Sequence, residues 1–324
     1  MKKILLSFFV LAGFNSVFAQ QDPQLTHFFR NKLNYNPAYA GTNDDKICAS
    51  LAYRTQWLGF GSKTLGLTPE TFIGGIHGSV LGNKLGLGLN INSDRQGFET
   101  TLMPTFSVAY HHVFSNNHKL SGGVGVGLIQ KSLDGGKLKA KDPGDALIPN
   151  SLVNGNSIDF NFGLYYKMPS LSVFRDVYFG LSSTHLNAAE VNYGPVKYTA
   201  ARHYYFMAGG IYDMGNFTIE PNLFLKNAVK TSFDINVMST INGKYLGGLT
   251  YRNVDAIAIL AGMNIGSSSN NEEATSVMLS YDLTTSRLSE FSNGTFEVGI
   301  RHCFGFKIER TPPPIRPIYT PRFL

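Results

Sequence analysis

Hydrophobic and polar residues alternate along most of the chain. In "KLGLGLNIN" (84–92), Leu85, Leu87, Leu89 and Ile91 alternate with Gly86, Gly88, Asn90 and Asn92. That spacing puts an apolar row on one face of a strand and a small or polar row on the other, and it fits no amphipathic helix. The same period of two runs through "SIDFNFGLYYK" (157–167), "NFTIEPNLFLK" (216–226) and "TSFDINVMSTI" (231–241). Near the end, Phe296, Val298, Ile300, His302, Phe304 and Phe306 alternate with Thr295, Glu297, Gly299, Arg301, Cys303 and Gly305. Read in this way, the sequence predicts strands near 47–56, 70–80, 84–92, 101–113, 119–130, 157–167, 174–184, 201–213, 216–226, 231–242, 244–252, 255–265, 275–283 and 294–306. That is fourteen, and an even number is what an up-and-down barrel requires.

Alternation alone does not say which row faces out. A soluble sandwich turns its apolar row inward, whereas an outer-membrane barrel turns it toward lipid and lines its lumen with polar residues. Two further features favour the barrel. Residues 1–19 carry Lys2 and Lys3, a short apolar stretch and the small Ala19 before Gln20, which reads as a secretory signal peptide. Tyr53, Trp57, Phe60, Tyr110, Tyr166, Tyr251 and Tyr281 fall near strand ends, where the aromatic girdles of such barrels lie. The expected fold is therefore all-β: a transmembrane antiparallel barrel of about fourteen strands over 47–306, after an irregular segment at 20–46. The tail 307–324 contains five prolines, which lack the N–H a sheet needs, so it is expected to run extended outside the barrel. With both termini periplasmic, the periplasmic connections are mostly tight turns and the outer ones include the long excursions 131–156 and 185–200.

Composition supports this picture and removes others. The chain has 34 Gly, 16 Tyr and 24 Phe with only 15% charged residues. Without Lys2 and Lys3, 26 basic residues (28 minus 2) face 22 acidic ones, too mild an excess to indicate nucleic acid. "SGGVGVGLI" (121–129) lacks the Lys-Ser/Thr and the helix of a phosphate-binding loop, so its glycines read as a strand with a bare lumenal face. His111 and His112 are adjacent and point to opposite faces, and the other histidines are scattered, so no metal or cofactor is expected. Arg54, Arg202, Glu220, Asp234, Arg252, Asp282, Arg287, Glu297 and Arg301 are candidates for a lumenal network in which opposite charges satisfy one another, not for catalysis. Cys48 opens the first strand and Cys303 sits late in the last. Closing the barrel makes those strands neighbours, so geometry allows a disulfide in an oxidising compartment; two lumenal thiols in differing register are the alternative.

Six stretches stand out: "QDPQ" and "NYNPAYAGT" near the N-terminus, "YRTQW" (53–57), "ARHYYFMAGGIY" (201–212), "LGGLTYRNVDAIAILAGMNI" (246–265) and "YDLTTSRLSEFSNGTFEVGIRHCFGF" (281–306). Together they resemble the PorP/SprF family of outer-membrane proteins of the type IX secretion and gliding machinery of Bacteroidota. The resemblance implies an outer-membrane barrel that helps export large adhesin-like proteins bearing a C-terminal type IX secretion domain, or holds them at the surface. Its implied partners are such proteins and other components of the machinery; it implies no catalytic residues. The competing expectation is a channel for small solutes of the fatty-acid type, since fourteen strands with an N-terminal plug also suit one. In the segment 20–46, Asn36-Pro37 favours a turn, Gly41 can take backbone angles closed to other residues, and Phe28, Phe29, Tyr35 and Tyr39 need shelter from water. The segment is thus expected to plug the lumen or its periplasmic mouth, or to dock a periplasmic partner.

Overall fold

The alternating rows close into a barrel whose polarity is the reverse of a soluble protein's. The computed structural model describes residues 22–305 except 60–66, 139–141, 143–144, 146–147, 229, 254 and 267–274. The expected signal peptide and the proline-rich tail lie outside the described residues, as does Phe60. The strands are β1 Lys46–Thr55, β2 Glu70–Val80, β3 Leu85–Gln96, β4 Glu99–Val113, β5 Lys119–Asp134, β6 Leu152–Leu171, β7 Phe174–Thr184, β8 Glu190–Tyr193, β9 Val196–Thr199, β10 His203–Met214, β11 Phe217–Asn227, β12 Thr231–Ile241, β13 Tyr245–Arg252, β14 Ala256–Ile265, β15 Thr275–Thr284 and β16 Thr295–Gly305. All but β8 and β9 pair in sequence order, with β7 joined to β10, and β16 returns to pair antiparallel with β1. Fourteen strands thus form one closed sheet without a free edge.

The outward row is apolar and exposed: Leu51, Leu89, Ile91, Phe106, Val124, Phe160, Leu249, Ile259 and Ile300 all belong to it. The residues between them, such as Asn90, Asn92, Asn161, Thr250 and Glu297, are buried within the lumen. Hydrocarbon as the outer solvent explains both rows, because it offers no hydrogen bonds and leaves a closed barrel as the only sheet that can span it.

Several strands run beyond the alternation read from sequence. β5 has 16 residues and β6 has 20, against the roughly 9–11 that cross a bilayer. β6 begins at Leu152 rather than near 157, and β3 continues past Ile91 to Gln96. In these extensions the outward row itself becomes polar (Ser93 and Arg95 in β3, Asn154 and Asn156 in β6), so the ladder persists after the two-faced pattern has faded. Most of 93–100 and the two ends of 131–156 (131–134 and 152–156), expected as loops, are therefore sheet. The stretch 185–200 is also more than a loop: β8 and β9 form a hairpin whose Val191 and Tyr193 pack with Ile129, Ala189 and Ala200 inside the barrel mouth.

The barrel seam is closed covalently. Cys48 and Cys303 stand opposite one another in the β1–β16 register and form a disulfide. The bond joins residues 255 apart, a loop for which the chain-entropy account gives about 5.5 kcal/mol.

Candidate functional site

The lumen is filled by the chain's own N-terminal segment. Asp22 stands at the mouth carrying the long connections, beside His185 and His203. The chain then descends through the barrel in two short 3-10 turns, Lys32–Asn34 and Pro37–Tyr39, and reaches β1 at the tight-turn end. Asp22 and Gly305 at the end of β16 consequently lie at opposite mouths; the two chain termini, expected on one side, lie outside the described residues.

Aromatic packing fixes the middle of the segment. Phe28 stacks on Phe224 of the wall with centroids 5.1 Å apart, and Phe29 packs edge-on to Phe28. Tyr35 lies against both Tyr205 and Phe224, and Tyr39 meets Tyr165 and His77. Lys32 is buried with its ammonium 3.4 Å from the centroid of Tyr178, a cation–π contact in place of hydration. The wall residues here belong to the inward rows of β6, β7, β10 and β11, where rings and Met207 replace the usual lumenal polar residues.

The "NPAYAG" stretch is held at backbone level. Asn36 accepts from Ala38 N–H, capping the second turn, while its Nδ2 donates to the carbonyls of Leu164 and Leu181. Pro37 occupies the first position of that turn, where no N–H is required. The carbonyl of Tyr35 accepts from Ser182 Oγ at 2.7 Å. Gly41 has φ +68° and gives its N–H to His77 Nδ1, and a β-carbon there would lie 2.5 Å from Gly86 Cα. Conversely, a β-carbon on Gly86 would lie 1.9 Å from the carbonyl oxygen of Ala40. The bare row of β3 is therefore the bed in which the segment lies.

Charge anchors its upper part. Glu297 accepts the peptide N–H of Thr26 at 2.8 Å and of His27 at 2.9 Å. The Thr26 hydroxyl donates to Asp282 and accepts from Arg54 Nη1 at 2.9 Å. Arg54 bridges Asp282 (2.8 Å) and Glu297 (3.0 Å), and Arg252 bridges Asp282 (3.2 Å) and Asp234 (3.3 Å). Lys226 completes the set on Asp234 at 3.0 Å. Three cations and three buried carboxylates thus form a cluster contributed by β1, β11, β12, β13, β15 and β16, and the less buried Asp255 adds a carboxylate 3.6 Å from Arg252. The N-terminal segment supplies the neutral hydrogen-bonding groups that complete it.

Space remains at both mouths. At the long-loop end a cavity of about 460 Å³ is lined by Asp22, Gln24, Trp57, Glu99, Lys131 and Tyr198 among others. Lys131 pairs with Glu99 and lies 4.1 Å from the Tyr198 centroid, and Tyr193 donates to Glu99 at 2.8 Å, so the β8–β9 hairpin forms one side of this mouth. Burial lowers the pKa of the neighbouring His185, but the carboxylates of Asp22 and Asp159 outweigh that and push it up to about 10. At the tight-turn end a cavity of about 200 Å³ is lined by Arg30, Lys32, Lys167, Asp176, Glu220 and Arg301. The aromatic core of the segment lies between the two.

A barrel of this form with a lumenal N-terminal segment carries the blocks noted in the sequence, and residues 17–302 match the family model of the type IX secretion system membrane protein PorP/SprF. The chain belongs to that family. Fold and family together place this PorP/SprF protein in the outer membrane, as a membrane protein of the type IX secretion system. No curated protein matches the chain in sequence. Among solved structures it resembles the CymD monoaromatic hydrocarbon channel, with 11% identity, 87% of this chain and 94% of that one covered, and a TM-score of 0.53. A Pseudomonas aeruginosa FadL homologue is more distant, with 10% identity, 84% and 93% covered, and a TM-score of 0.47. At these identities the likeness concerns the fold.

The structure gathers most of the residues singled out from this PorP/SprF sequence and separates others. Phe28, Phe29, Tyr35, Asn36, Pro37, Tyr39 and Gly41 all lie in the lumen. Of the nine charges, Arg54, Asp234, Arg252, Asp282 and Glu297 form the buried cluster. Glu220 and Arg301 belong instead to the opposite mouth, where Glu220 faces Arg30 at 3.8 Å and Arg301 approaches Cys48 Sγ at 3.6 Å. Arg202 and Arg287 are corrections: both are exposed, because they stand outside the strands, where parity no longer directs a side chain inward. Arg202 donates to the Leu186 carbonyl, and Arg287 opens a 3-10 turn between β15 and β16. Thr26, His27, Lys32 and Lys226 were not anticipated. Lys226 ends an alternating strand and had a readable signal; Thr26 had none.

Proposed function

We propose that this PorP/SprF protein works as a plugged barrel that holds proteins and does not conduct solutes. In this reading it assists the export or surface retention of large adhesin-like proteins through their C-terminal type IX secretion domain, and it is not an enzyme. The observation that carries the reading is the lumenal segment. Its peptide groups complete a buried ion cluster and its rings share one hydrophobic core with the wall, so moving it would strand charges in a low-dielectric interior. A gate for traffic needs a weaker attachment. With the tight turns facing the periplasm, the cavity, the long connections and the β8–β9 hairpin face outward, and the start of the segment does too. This mouth offers polar and charged groups of both signs beside Trp57 and Tyr198, a mixture suited to protein recognition.

The test uses the detergent-purified barrel and a purified C-terminal secretion domain of an adhesin-like protein from the same organism. A saturable one-to-one complex is expected, lost when residues 190–199 are replaced by a Gly-Ser linker in a barrel that remains folded. No complex, together with uptake of a small hydrophobic solute into proteoliposomes, would overturn the reading in favour of a solute channel.

A further inference from the structure

Asp22, His185 and His203 are remote in sequence and converge at the long-loop mouth. One ligand-type atom from each lies within 4.8 Å of the other two. His185 Nε2 is 3.0 Å from Asp22 Oδ1, and its Nδ1 is 3.0 Å from Asp159 Oδ1. His203 Nε2 is 3.2 Å from Asp22 N, and its Nδ1 is 2.8 Å from the carbonyl oxygen of Ala201. Each imidazole therefore has its far nitrogen fixed by a carboxylate or a carbonyl and turns its near nitrogen toward Asp22. That is the arrangement in which outer partners orient histidines for a metal. Tyr205 OH donates to Asp22 Oδ2 at 3.0 Å, which orients the carboxylate as well. Both histidines are buried, and Asp22 reaches the open cavity.

We propose that these three side chains form a binding site for a divalent transition-metal ion of the zinc class. The ligands are His185 Nε2, His203 Nε2 and the Asp22 carboxylate. Two imidazoles and one carboxylate suit zinc, cobalt, nickel or copper and do not suit the all-oxygen preference of calcium or magnesium. Tetrahedral bonds of about 2.0–2.1 Å set ligands roughly 3.3 Å apart, so the widest separation here has to close by about 1.5 Å. Asp22 is the ligand able to make that move, since it is only partly buried and lies on the plugging segment rather than on a strand. Its N–H gives up the lone pair of His203 Nε2 as the metal takes it, and the metal displaces to water the proton that His185 Nε2 shares with Asp22. The fourth position opens on the cavity, for water or a donor atom from a docked protein. Because one ligand belongs to the plug and two to the wall, the metal ties them together at the mouth. The site rests on the plug geometry and is independent of the secretion reading.

The test is titration of the detergent-purified chain lacking residues 1–19, carrying no histidine tag and stripped with EDTA. Zinc is followed by calorimetry and cobalt by its visible absorption. One metal per chain is expected, with a cobalt spectrum of a four- or five-coordinate nitrogen and oxygen site. His185→Gln and His203→Gln are each expected to weaken binding by more than about tenfold, and Asp159→Asn, a positioning residue, by about tenfold. His112→Gln, at an exposed histidine of β4, leaves binding unchanged. Zinc is also expected to protect His185 and His203 from diethylpyrocarbonate in the wild-type chain, a readout that needs no variant to fold. Absence of stoichiometric binding, equal modification of both histidines with and without zinc, or undiminished binding in a folded variant carrying both His185→Gln and His203→Gln overturns the proposal.

Discussion

Replacing Glu297 by Met is expected to destabilise the barrel by about 3–5 kcal/mol, the cost of stripping one partner from a buried ion pair. The substitution removes the acceptor of two plug N–H groups and leaves Arg54 with Asp282 as its one carboxylate beside the Thr26 hydroxyl. Adding Arg54→Met removes the stranded charge, and Asp282 keeps both Arg252 and the Thr26 hydroxyl. The double variant should therefore be more stable than the sum of the two single losses predicts, with a coupling of about 2 kcal/mol. Urea unfolding in detergent micelles, followed by the shift between folded and unfolded bands on electrophoresis, measures all three variants. Strictly additive losses would show that the cluster is a set of independent contacts.

The second large effect belongs to the aromatic core. Phe28→Ala is expected to cost about 3–5 kcal/mol, because the buried ring fills space between Phe29 and Phe224. Phe106→Leu is the contrasting case. Its side chain faces outward and exposed, so an aliphatic replacement should change stability by no more than about 0.5 kcal/mol. Identical measurements on the two variants separate a phenylalanine packed inside the lumen from one that faces lipid. Equal losses would mean that the rows have been assigned to the wrong faces.

How much of this was legible follows from what repeats in the sequence. Strand positions could be read because each strand has a lipid face and a lumenal face, and β2 (Glu70–Val80), β7 (Phe174–Thr184) and β11 (Phe217–Asn227) lie within about a residue of their expected bounds. Which row faces out was not carried by alternation itself; it came from the signal peptide and the girdle rings. Strand ends were lost where the outer row turned polar, as at Ser93 and Asn156. The β8–β9 hairpin did leave a trace, since Val191 and Tyr193 are related to Val196 and Tyr198 across Gly194-Pro195, a turn signal between two short alternating runs. The plug's rings and its Asn-Pro and Gly41 stood out by composition and turn chemistry. The partners of those residues could not be read, because a threonine meeting a glutamate 271 positions away has no local signature. The same holds for Asp22, His185 and His203, which only the path of the chain through the lumen brings together.

The N-terminal segment closes the lumen from within. Single-channel recording in planar bilayers tests that, comparing the full mature chain with one lacking residues 22–42. The full chain is expected to show no discrete current and the shortened one stepwise openings; equal conductance from both would contradict the account.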